Sequence, residues 1–504
     1  MHTRRPSPLK YAAAVFFLGA ALAGCGRPSE LRVFFNSAFP VSSYDPGRAY
    51  YAQDYLFLEN VYSPLVEYSS GDELVSGAAA SFGWAGGEAV FGMRPGLKTA
   101  DGRPIDAYDA ELSLKRAFII GGPEQDLLKG LVCGPAPLKK LSDACPGLSV
   151  RDGGRTLAMK LPERKPFLFH LLANIPFAVL PRGSFDPATL KITDYRNTSG
   201  PYFVASEEPG GFWRLRANPF HYRYSPDMPQ TVAAVPLTRY ISNEEALATL
   251  TSGRADYLII GLVRNPSEKF RFVEENRGYS ASLTQPIRMV YAVFTDRGLK
   301  RLSRAERFLI GRKLRERYLA GRRMCEAPFQ LFRMEGALSR EQLAEVKGLL
   351  EGAPETKITK KVQAGWLTRY LFRKEDGVAD ILPNLTEPRN SNGQSGADAA
   401  GDDFFLNGGD VGGQDDIGLV SYYMDSEFFD MKPADKKAWL AHYVSVPGKR
   451  ERAALLRDLQ YRTLTEARVL PVALMGYSSV VRAPWKFDSP TMIAGDHFWR
   501  LRRS

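Results

Sequence analysis

Arg4, Arg5 and Lys10 precede an apolar run, Tyr11 to Ala21, which ends in Leu22-Ala23-Gly24-Cys25. A basic segment, a short apolar stretch and small residues ahead of a cut are the layout of a secretory signal. About fourteen apolar residues rise only ~21 Å as a helix, short of a ~30 Å hydrocarbon core. Residues 1–24 therefore read as a leader rather than a spanning anchor. The chain beyond Gly24 then has to fold outside the cytoplasm, away from ATP and reducing cofactors. No second apolar run is long enough to cross a bilayer, so the sequence describes neither a channel nor a pump.

The remainder, roughly 480 residues, is enough for two or three domains. Its 44% hydrophobic and 24% charged residues suit a packed globular body. The net charge of +11 falls to +8 once Arg4, Arg5 and Lys10 leave with the signal. A basic surface favours acidic ligands or anionic headgroups, or simply reflects compositional bias. The basic residues are scattered and no recognition motif accompanies them, which argues against nucleic acid. Cys133 and Cys145 bracket a Gly-Pro-Ala-Pro loop and suit a disulfide in an oxidising compartment. Cys325 is left as an odd thiol, expected to be buried. No cysteine pair has zinc-ligand spacing, and the histidines His170, His221, His442 and His497 form no close pair. No metal or other cofactor is expected, and His170 beside Phe169 reads as a packed core residue.

Strand and helix patterns alternate throughout. Leu31 to Phe35 and Glu88 to Arg94 alternate like strands. Asp101-Gly102 turns into a helix whose apolar face is Ala110, Leu114, Ala117 and Phe118, with Asp106 as N-cap and Asp109 at N3. Ser242 and Glu245 read as a capping box for a helix ending at Gly253, then a buried strand, Asp256 to Ile260. Ser339 and Gln342 open another helix through Leu343, Val346 and Leu350. Asn390 to Gln414, rich in Gly, Asn, Asp and Ser, is expected to hold a mobile loop.

Two resemblances carry the functional reading. Leu22-Ala23-Gly24-Cys25 is similar to the bacterial lipobox, which implies cleavage before Cys25, diacylation of its thiol and acylation of the new amine. Gly26 lacks the acid associated with inner-membrane retention. The second resemblance runs through Val90-Phe91-Gly92-Met93-Arg94-Pro95-Gly96-Leu97-Lys98, then Asp101-Gly102-Arg103-Pro104-Ile105-Asp106-Ala107-Tyr108-Asp109 and Ser113-Leu114-Lys115-Arg116. Tyr44-Asp45-Pro46, Asn60 to Tyr68, Ser199-Gly200-Pro201-Tyr202, Arg216 to Pro219 and Glu245 to Asp256 complete the set. Together, and in this order along the chain, these segments resemble the solute-binding proteins of peptide and nickel ABC importers, extracellular family 5, the oligopeptide-binding type.

The resemblance implies an α/β periplasmic-binding-protein-like fold: two lobes, an interlobe cleft and an extra subdomain in lobe I. It divides the chain into lobe I (25–75 and 195–285), the inserted subdomain (76–194), lobe II (286–469) and a lobe I return (470–504). It implies a monomer that closes over a peptide or small amine-bearing solute and docks on an ABC permease, with no bond made or broken. Burying the ammonium of such a solute requires a counter-charge. The family's Trp-x-x-Asp strand supplies one. Here Asp410 preceded by Asn407, or Asp425 preceded by Tyr422, takes that place; Asp410 is preferred, although tryptophan is missing from both.

Other readings are weaker. No Gly-x-Ser-x-Gly elbow or phosphate-cradling loop supports a hydrolase. The acid pairs Asp402-Asp403 and Asp415-Asp416 are expected to be solvated charge. Tyr422, Tyr423, Phe428 and Phe429 are expected in a core rather than a cleft. The alternatives kept are a transport-independent sensor or assembly lipoprotein, and a nickel- or chelate-binding member.

Overall fold

The computed structural model describes residues 30–35, 44–49, 52–69, 73–134, 138–165, 167–208, 212–235, 243–259, 266–284, 288–320, 325–332, 336–355, 357–365, 385–386, 401–410, 420, 423–424, 428–446, 448–476, 478–488, 491–492 and 497–503. Cys25 and the signal lie outside these residues, as do Ser242, Asp415-Asp416, Tyr422 and Asp425. Among the described residues no helix is long and apolar enough to cross a membrane.

Three sheets organise the chain. The first has eight strands in the order Thr491–Met492, Tyr279–Thr284, Ser478–Arg482, Tyr257–Ile259, Glu30–Phe35, Thr231–Val235, Phe212–Ala217, Tyr202–Glu208. Its central strand, Glu30–Phe35, runs parallel to both neighbours. Leu31 and Val33 pack with Phe57, Trp213 and Phe498 on one face. Phe34, Leu258 and Val480 pack with Ala246 and Leu250 of the helix Asn243–Thr251 on the other. Burial on both faces is what a parallel core of this kind needs.

The inserted sheet is antiparallel, in the order Ala79–Ala85, Glu88–Met93, Thr156–Lys160, Leu148–Arg151. Gly86 and Gly87 make its first hairpin, both at positive φ, as a two-residue turn matched to strand twist requires. Ala89, Phe91 and Met93 alternate inward against the helix Ala107–Ile120, which buries Ala110, Leu114, Ala117 and Phe118. Asp106 and Asp109 form a reciprocal capping box at its start. Cys133 and Cys145 are joined in a disulfide beside this core.

The third sheet, antiparallel, runs Cys325–Glu326, Val469–Met475, Arg288–Phe294, Phe404–Asp410. Val290, Ala292, Phe404 and Leu406 meet Leu309, Ile310 and Leu314 of the helix Arg304–Leu319. Met289, Tyr291 and Val293 face the opposite way, onto Tyr423, Phe428 and Phe429, so these aromatic residues fill a core. That core is continuous with the inserted subdomain. Buried Lys165 adds a polar tie there, donating to the Val444 carbonyl at 2.8 Å.

The chain passes from the first sheet to the third between Thr284 and Arg288, and returns between Met475 and Ser478. A return at residue 470 is therefore corrected: Val469–Met475 pairs with Arg288–Phe294 in the third sheet, and the crossing falls at 476–477.

Asp403 also departs from expectation. It is fully buried, not solvated. Arg301 donates to both its oxygens at 2.6 Å, and the Gln363 amide donates at 2.8 Å. Its carbonyl lies so near Gly298 that a Cβ there would overlap the oxygen, so only glycine fits. Asp402 beside it is half-buried, and burial pushes its carboxyl up to about 6, opposed by Arg297 and reinforced by Asp403. Asp403→Asn should cost about 2–4 kcal/mol, the loss of one partner of a buried pair reduced by the solvent access of Arg301 and Arg297. A urea-melt midpoint unchanged from the parent would refute that brace.

Candidate functional site

The edge from which the chain crosses is set by strand direction. Glu30–Phe35, Thr231–Val235 and Tyr257–Ile259 are parallel, and Ser478–Arg482 runs against both Tyr257–Ile259 and Tyr279–Thr284. The carboxyl ends Phe35, Val235, Ile259 and Thr284 therefore share one edge. From its own strand the chain moves to Thr231–Val235 on one side of Glu30–Phe35, then to Tyr257–Ile259 on the other. Such a reversal opens a crevice outside the carboxyl ends, where open α/β sheets bind ligands. The crossing to the third sheet leaves from that edge.

The facing edge of the third sheet holds Arg288, Asp410, Met475 and Cys325, all in register: Arg288 opposes both Asp410 and Met475, and Met475 opposes Cys325. Asp410 thus ends its strand beside the crossing. Asn407 does not share its position. It opposes Tyr291, three residues back and so on the other face of the strand, and its side-chain oxygen accepts from the Gly408 amide at 2.8 Å. Arg288 escapes a reading of motifs; its one signal is a lone charge at the head of an otherwise apolar strand, Met289 to Phe294.

Two histidine contacts bear on other chemistry. His221 is buried, with Nε2 3.1 Å from the Ser63 hydroxyl and Nδ1 accepting the Arg223 amide at 3.2 Å. An acceptor at Nδ1 leaves the proton on Nε2, which donates to Ser63 and so cannot take its proton. The pair is structural. His170 contacts the Tyr68 hydroxyl at 2.9 Å and packs against that ring. Among the described residues no group of three or more His, Cys, Asp or Glu side chains could hold a metal ion.

No family model and no curated protein sequence matches this chain. Solved structures do. The Escherichia coli murein tripeptide binding protein MppA superposes with a TM-score of 0.69 at 16% identity, covering 95% of this chain and 99% of that one. Haemophilus influenzae OppA, complexed with RPPGFSPFR, gives 0.70 at 16% identity, covering 95% and 99%. MoaA from A. tumefaciens R10, in complex with mannopinic acid, gives 0.68 at 14% identity, covering 95% and 100%. The chain has the two-lobe α/β fold of these structures.

Burial holds His221 and His497 well below the usual imidazole range, helped for both by Arg223 and, respectively, by Arg94 and Arg500. Both are neutral when folded and take up protons more readily when unfolded. Their contribution to stability is full above the unfolded value near 6.5 and is lost as pH falls below it. The urea midpoint should drop between about pH 7 and 5. His221→Asn should lower it at neutral pH but flatten the slope; an unaltered slope would contradict this assignment.

Proposed function

We propose that this protein is the extracytoplasmic capture component of an ABC importer, held to a membrane by lipid on Cys25. A peptide or small amine-bearing solute enters between the two crossing edges, and the lobes close over it as a hinge. The closed protein, a monomer, then docks on a permease. Nothing is broken or formed covalently; enclosure is the activity.

The observation that carries this reading is the pair of adjacent crossings at one edge, within a fold matched across 95% of the chain by binding proteins. Those neighbours are a murein tripeptide binding protein and an OppA holding a peptide. Asp410 ends its strand at that edge, where an ammonium needs a counter-charge.

Native mass spectrometry of protein purified without refolding should find a small solute carried through. Calorimetry with that solute should lose about 2–5 kcal/mol in Asp410→Asn, the usual cost of removing one partner of a buried charge pair. Unchanged affinity would remove Asp410 from the site and leave Asp425 as the remaining carboxylate.

A further inference from the structure

Glu30 opens the central strand of the first sheet and follows Cys25 by only five residues, a tether of at most ~18 Å. Thr231 opposes Glu30, and Arg216 opposes Thr231, so the connection 218–230 between those two strands stands beside the tether. That connection is held in place: the Ala217 amide donates to the Gln230 carbonyl at 3.0 Å, and the Arg503 amide to the Asp227 carbonyl at 3.1 Å. Among the described residues three large hydrophobic side chains are exposed, Tyr108, Phe220 and Tyr224, and two of them stand on this one connection. The Lys98 ammonium lies 5.6 Å from the centre of the Phe220 ring. Aromatic rings beside cations suit the boundary between water and lipid headgroups.

The charges along the same edge favour an anionic surface. Glu30 is already answered by Arg214 at 2.7 Å, and Asp256 by Arg32 and Arg482 at 2.8 Å each. Asp488 has Arg502 at 3.9 Å, and Arg271 and Arg277 offset Glu274 and Glu275 where the helix Pro266–Glu275 ends. Exposed Arg216, Arg254 and Lys486 then outweigh exposed Asp227. Attraction to anionic headgroups fades within a Debye length of ~10 Å, so only a face held this close to a bilayer gains from it.

We propose that this edge is the face that rests on an anionic bilayer, Phe220 and Tyr224 entering the headgroup layer and Arg216, Arg254 and Lys486 meeting lipid phosphates. The carboxyl edge is then lifted clear of the lipid by the length of the strands, about 17 Å for Glu30–Phe35. Capture of a solute from water needs that clearance. The proposal rests on lipid at Cys25 and adds to it a fixed posture.

The test uses the acylated protein, extracted with its lipid and reconstituted in vesicles containing about one quarter anionic phospholipid. Mass spectrometry of the N-terminal fragment comes first: no acyl group on Cys25 would remove the tether and this posture together. Nitroxides are then placed, in separate samples and with Cys325→Ser, at exposed Thr251 and exposed Glu244. These end the helix Asn243–Thr251, about 10 Å apart, and the Gly253 carbonyl just beyond Thr251 accepts from Arg32 at this edge. Nickel chelated on lipid headgroups should relax the Thr251 label several-fold more than the Glu244 label. The difference should shrink in neutral vesicles, in ~0.5 M salt, and in a protein carrying Phe220→Ser, Tyr224→Ser, Arg216→Gln and Arg254→Gln. With the acyl group present, equal relaxation at both labels or a stronger effect at Glu244 would overturn the posture and leave the anchor intact. A dipolar distance between Thr251 labels of two molecules would do the same, assigning the edge to a second copy. Hydrogen exchange checks the unlabelled protein: amides of 218–230 should slow on anionic but not neutral vesicles, and no slowing would contradict the contact.

Discussion

Two strands that are hydrogen-bonded neighbours in the first sheet are neighbours again in the third, and everything else hangs on that ribbon. Leu283 opposes Ser478 before the crossing, and Arg288 opposes Met475 after it. A register slip of one residue would turn every side chain to the opposite face. Both faces of both sheets are packed, which holds each strand to its register. The proposed hinge closure needs rotation about this ribbon rather than shear across it.

Inside each lobe, arginine–carboxylate pairs hold the elements in place. Arg116 reaches Asp45, Arg182 reaches Asp109, Arg32 and Arg482 share Asp256, and Arg301 clasps Asp403. Desolvation offsets much of what such pairs gain, so their value lies in fixing which parts meet. All of them join segments far apart in sequence but close within one lobe.

Local structure is legible in the sequence, and long-range pairing is not. The helix Ala107–Ile120 can be read because Asp106, Asp109 and the apolar spacing all lie within about fourteen residues, and Ser339 with Gln342 announces the helix Arg340–Glu351 in the same way. The Cys133–Cys145 bridge closes a short loop and is equally local. Residues 470–475 go to lobe I on sequence, although the strand Val469–Met475 pairs in the third sheet, because all seven residues of that strand are buried. With no alternation to mark a solvent face, nothing in the run says which sheet it joins. Asp403 reads as a solvated acid in a glycine-rich stretch because its partner Arg301 is 102 positions away. Asn407 and Asp410 match a spacing, and the ladder adds what the spacing lacks, their partners Tyr291 and Arg288.

The most direct measurement is an interlobe distance. Spin labels at exposed Glu244, on the helix Asn243–Thr251, and at Lys347, on the helix Arg340–Glu351, report the two lobes. Pulsed dipolar spectroscopy should give a broad distribution in the emptied protein that collapses to one narrow peak when the co-purified solute is returned. An identical distribution with and without saturating solute would mean that the guest binds elsewhere, and that the crossing ribbon is a rigid connector and not a hinge.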